Sequence, residues 1–76
     1  MVEIFKTNVD DQQLADRILK KLRSHLPVYL FNFDLEDCDR ILRAESADTP
    51  VEVSSIIKVV TGLHIEICLF EDDYPE

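Results

Sequence analysis

Glycine occurs once in these 76 residues, cysteine twice, and no apolar run exceeds four residues, as at Val28 to Phe31. Each scarcity excludes a class of reading. Cys38 and Cys68 stand far apart with no Cys-x-x-Cys pair, so the chain has neither a disulfide framework nor zinc-ligand spacing. Runs this short cannot cross a bilayer. The opening MVEIFK lacks the basic segment, apolar stretch and cleavage site of a signal peptide. A cytoplasmic protein is therefore expected. Positive charge is scarce too: eight Lys and Arg face sixteen Asp and Glu, a net charge of -8. Such a surface repels phosphate backbones and anionic lipid, so neither nucleic acid nor membrane is an expected partner.

What is present describes one small globular domain. Hydrophobic residues make up 46% of the chain and charged ones 32%, the balance of a chain that folds. VEIFKT, residues 2–7, alternates as a first strand. Asp10 or Asp11 then offers an N-cap, with Gln13 behind Asp10 as a weak capping box. Leu14, Ala15, Ile18, Leu19, Leu22 and Leu26 recur at helical spacing, with Asp16, Arg17, Lys20, Lys21 and Arg23 on the other face, until Pro27. VYLFNFDL, residues 28–35, reads as a second strand, EDCD as a turn, and RILRAE, residues 40–45, as its hairpin partner. Thr49, Pro50 and Glu52 read as N-cap, first and third residues of a second helix striped by Val53, Ile56, Ile57 and Val60. Gly62 stands where a left-handed C-terminal cap belongs. HIEICLF alternates as a last strand.

Strand, helix, strand, strand, helix, strand is two split βαβ units. Right-handed crossovers give an antiparallel sheet ordered 4-1-3-2 with both helices on one face, the α+β ferredoxin-like sandwich. The domain is expected over residues 1–71, with 72–76 an acidic tail. Ile18, Leu22, Phe33, Ile57 and Ile67 are expected at the core's centre. Alternation assigns Val2, Ile4, Phe31, Phe33, Leu42, Ala44, Ile65, Ile67 and Leu69 to the helix side. The open face then receives Phe5, Leu30, Ile41, Arg43, Cys68 and Phe70. That is more large apolar surface than a monomer scatters over its exterior, and it points to a homodimer or to another protein partner.

The length, the element order, the TPVE…IIKVVTGL second helix and the F-D-L end of the second strand resemble the heavy-metal-associated (HMA) domains of copper chaperones and metal-pumping ATPases. In that family the first loop reads Met-x-Cys-x-x-Cys. Counted back from Ile18, the three motif positions here hold Val9, Asp11 and Leu14. A hard Asp oxygen beside a Leu does not replace two thiolates on soft Cu(I). The resemblance therefore implies the fold and not the metal.

Other sites weigh less. The fold is expected to bring the first loop, the EDCD hairpin and the turn after the second helix to one end. A non-standard metal site could there draw on Asp10, Asp11, Cys38 and His64, with Asp11, Cys38 and His64 as its core. Reactive cysteines favour a cationic setting, and Asp37 and Asp39 flank Cys38, so no redox or nucleophilic role is expected. Asp34, Glu36 and Glu45 fall at calcium-loop spacing, but Asp39 replaces the required glycine. Asp34 and Asp37 form no evident acid–base pair, since no pocket-forming sequence surrounds them. His25, in the last turn of the first helix, reads as a surface residue favoured by the helix dipole.

Three functions follow. The first is a non-enzymatic HMA-like protein without cofactor, acting by protein contact or self-association. The second is metal binding or trafficking through the non-standard site. The third is an ACT-like small-molecule sensor, which shares the element order, although the ligand approach common there uses glycine in the first loop, and Gly62 lies elsewhere.

Overall fold

The computed structural model describes residues 1–70; the expected tail, 72–76, lies outside the described residues. Six elements follow the expected order: β1 (Val2–Thr7), α1 (Gln12–His25), β2 (Leu30–Asp34), β3 (Ile41–Glu45), α2 (Val53–Thr61) and β4 (Ile67–Leu69). The four strands form one antiparallel sheet in the order β2-β3-β1-β4, the expected ferredoxin-like arrangement. Helix α1 packs over β2, α2 over β4, and the two helices against each other.

Helix α1 forms for the reasons its pattern announces. The Asp11 carboxylate accepts the Gln13 amide at 3.3 Å, and Ala15, Ile18 and Leu22 bury one stripe. Asp11 and not Asp10 is the cap, because its extended backbone (φ -126°, ψ 128°) turns the carboxylate toward the first free amides.

In β1 the faces are exchanged relative to the expectation. Phe5 is fully buried, whereas Val2 is 51% exposed and Ile4 half-buried. The ladder gives the reason. Phe5 pairs with Leu42 of β3 and Leu69 of β4, and Leu42 also pairs with Phe33 of β2. Phe33, Leu42, Phe5 and Leu69 thus form one row across all four strands, facing the helices. The neighbouring row holds Phe31 and Ala44, both buried. A period-two strand can present either face, and a ring in this row buries more apolar surface than Ile4 would. Thr7 shares the inward face and satisfies its hydroxyl there by donating to Arg40 O at 2.7 Å. The centre of the core shifts accordingly. Ile18 and Leu22 belong to it as expected, while Phe33, Ile57 and Ile67 pack half-buried around Phe5, Phe31, Leu42 and Ile56.

The second helix begins at Val53, later than Thr49 and Pro50 suggest. The cause is a tyrosine distant in sequence. Tyr29, buried and packed edge-on to Phe31 at 6.1 Å between ring centroids, donates its hydroxyl to Pro50 O at 3.3 Å and accepts the Glu52 amide at 3.1 Å. Those bonds hold the lead-in extended, with Glu52 at φ -82° and ψ 93°. At the other end Gly62 is helical (φ -63°), and the left-handed residue is His64 (φ 64°), reached after an added turn in which Leu63 and His64 donate to Val60 O and Thr61 O. No helix among the described residues is long and apolar enough to cross a membrane.

Candidate functional site: the open face of the sheet

Both helices cover one side of the sheet, and the strand pairings give the other side residue by residue. Nearest the β2–β3 hairpin runs a row of Asp34, Ile41, Lys6 and Cys68. The next holds Asn32, Arg43 and Ile4, joined by Phe70, whose amide donates to Ile4 O at 2.8 Å. The last holds Leu30, Glu45 and Val2. Apolar and charged side chains alternate along the first and last rows, while in the middle row Asn32 and Arg43 stand on one side and Ile4 and Phe70 on the other. Leu30 is 69% exposed, Arg43 and Cys68 are exposed, and Ile41 and Phe70 are half-buried. Of the six residues expected here, only Phe5 is misplaced. Ile4 takes its position for the register reason given above.

Lys6 links two parts of this surface. Its ammonium lies 5.3 Å from the Phe70 ring centroid and 3.7 Å from Asp39. Cation–π attraction at an exposed site is worth about 0.5–1 kcal/mol, enough to favour the ring's position without locking it. Between the rows opens a depression of about 530 Å³, with Val2, Ile4, Ile41 and Phe70 as its apolar part and Glu3, Asp34, Asp37, Asp39 and Arg43 as its charged part.

The hairpin that supplies the aspartates is shaped by them. Asp34 Oδ1 accepts the Glu36 amide at 3.2 Å, and Asp37 Oδ1 accepts the Asp39 amide at 2.9 Å. Arg40 closes the turn in a left-handed conformation (φ 48°), with its amide donating to Asp37 O at 3.0 Å. Asx turns of this kind use one carboxylate oxygen each.

The non-standard metal site does not assemble as expected. Cys38 is exposed, and its sulfur clusters with carboxylates of Asp37 and Asp39, all within 4.8 Å, but not with Asp11 or His64. Asp11 caps α1, while His64 is an exposed left-handed residue after α2. Asp10 is exposed in the first loop. The three loops do converge on one end. Asn8 and Glu66 exchange bonds there, from the Asn8 amide to Glu66 O and from the Glu66 amide to Asn8 Oδ1, each at 3.2 Å. What they bring together is backbone and the Asn8 carboxamide, not a ligand set. At the other two motif positions Val9 is fully buried and Leu14 packs against the core. The loop is anchored by its apolar residues where a metal loop would present thiols. Cys68 lies on edge strand β4, exposed and free.

Compared with protein-family models, curated proteins and solved structures, the chain matches none.

Proposed function

We propose that this protein is a non-catalytic contact module: an HMA-like frame whose first loop serves packing and whose open sheet face engages protein, either a second copy or a different chain. The observation that carries the reading is the apolar side-chain set on the uncovered face, led by Leu30, Val2, Ile4, Ile41 and Phe70. Small domains must bury one face of a sheet to fold, and the helices do that here. Apolar groups on the second face are not needed to form the core, and contiguous ones mark contact surfaces. Charges interleaved among them supply register and selectivity and limit indiscriminate aggregation. The Val9, Asp11 and Leu14 loop supports the non-metal half of the reading, because each residue already has a structural task.

Site-directed photo-crosslinking tests it. A probe on Cys68, with Cys38 changed to Ser, samples the open face; a probe at Ser24→Cys, with both native cysteines changed to Ser, samples the helix layer. In extracts of the source cells, protein adducts should form from position 68 and disappear on Leu30→Lys. Equal labelling from both positions, or labelling insensitive to Leu30→Lys, would defeat the proposal.

A further inference from the structure

We infer that the occupant of the open face is a basic segment of another protein, inserting a lysine or arginine whose stem lies along Ile4, Ile41 and Phe70 and whose charged head rests among Asp34, Asp37 and Asp39. This rests on the face being a contact surface and adds the chemistry of the partner.

The first support is how charge is distributed over the two layers. Of the eight Lys and Arg, Arg17, Lys20, Lys21, Arg23 and Lys58 lie on the helices. The sheet side keeps Lys6, Arg40 and Arg43, and the one ion pair among the described residues is Lys6 with Asp39. Asp34 and Asp37 each spend Oδ1 on a turn amide. Among the described residues their second oxygens have no partner, so both carboxylates keep acceptor capacity for an incoming cation.

The second support is the shape and polarity of the depression. Its apolar part and its aspartates adjoin, and long cationic side chains have the same division: an apolar stem that packs and a charged head that stays hydrated. Arg43, in the row beyond Ile41, repels a cation from the middle of the face, and Lys6 already pairs with Asp39 at 3.7 Å, which leaves Asp34 and Asp37 as the carboxylates open to an incoming one. A second copy is a poorer fit, because two like faces with acidic hairpin ends, on chains of net charge -8, repel each other. Nucleic acid and anionic lipid meet the same repulsion.

The experiment titrates the intact, isotope-labelled protein with a short synthetic peptide alternating lysine and valine, following backbone amides by NMR. Glutamate–valine and lysine–serine peptides serve as controls. Shifts should concentrate at Ile4, Ile41, Arg43 and Phe70 and at Asp34, Asp37 and Asp39. Removing two exposed charges in Asp34→Asn/Asp37→Asn should weaken binding about tenfold at low salt. Asparagine preserves the Asx turns, and an unchanged spectrum elsewhere confirms the fold. Added salt should weaken the wild-type complex. Absence of binding, shifts confined to the helix layer, equal binding of the glutamate peptide, or full binding by the double variant would overturn the inference. Sedimentation equilibrium of the protein alone separates this from the broader reading. A dimer abolished by Leu30→Lys, with no peptide bound, would make a second copy the occupant; the contact function would stand and this inference would fall. If neither peptide nor second copy binds, and position 68 crosslinks no more than position 24, both fall.

Discussion

Ile4 and Phe5 are adjacent residues on opposite sides of a sheet, and their difference in burial has a measurable consequence. Phe5 is fully enclosed in a row that crosses all four strands, whereas Phe33, in the same row on the outer strand β2, is half-buried. Truncating a buried Phe removes its transfer free energy and leaves a cavity, at a cost of about 3–5 kcal/mol. Phe5→Ala should therefore remove a large part of the stability of so small a domain, and Phe33→Ala distinctly less. Urea denaturation measures both. A loss from Phe33→Ala equal to that from Phe5→Ala would contradict the row as described. Much of this is legible in the sequence: alternation alone places Phe31, Leu42 and Ala44 inward. The side taken by Phe5 is not, because VEIFKT offers two apolar residues on one face and a single larger one on the other.

At the level of elements, the two helices differ in how locally they are specified. Helix α1 carries its own cap and stripe, so its limits follow from nearby residues. Helix α2 has Thr49, Pro50 and Glu52 in a strong start pattern, yet begins later because the Tyr29 hydroxyl, from the β2 side, occupies Pro50 O and the Glu52 amide. Its end is also displaced, with His64 and not Gly62 in the left-handed region. The left-handed conformation costs a non-glycine residue about 1–2 kcal/mol. Offset by glycine's greater unfolded-state entropy, His64→Gly should raise stability by about 0.5–1 kcal/mol. Gly62→Ala should be nearly neutral. Its added Cβ would gain about 1 kcal/mol in helix propensity but would meet Val59 O at 3.3 Å and Lys58 O at 3.4 Å. The opposite outcome in thermal unfolding, with Gly62→Ala strongly destabilising and His64→Gly without benefit, would restore the glycine as the cap.

For the molecule as a whole, the first loop is part of the packed frame. Val9 is buried, Leu14 packs against the core and Asp11 caps α1, so each of these residues is committed to the fold. The expected outcome of a Cu(I) titration in competition with a strong chromogenic chelator is that the chelator keeps the metal, in wild type and in Cys38→Ser alike. A stoichiometric complex lost in Cys38→Ser would instead give the Asp37–Cys38–Asp39 hairpin a metal function. The open face belongs to this scale too, since each of its rows draws on at least three strands.

Strand and helix order, the α1 stripe and the inward residues of β2, β3 and β4 follow from local pattern, because periodicity and caps act over a few residues. The face of β1, the start of α2, the left-handed residue after it and the union of Asp34, Asp37 and Asp39 with Ile4, Ile41 and Phe70 depended on the folded chain. In three of these the deciding partner is distant in sequence, Leu42 for Phe5, Tyr29 for Glu52, β1 and β4 for the hairpin, while His64 follows from the added local turn after α2. Alternation leaves two faces equivalent until a neighbouring strand supplies something to pack against, and a capping pattern yields to a buried hydroxyl that must find its own partners.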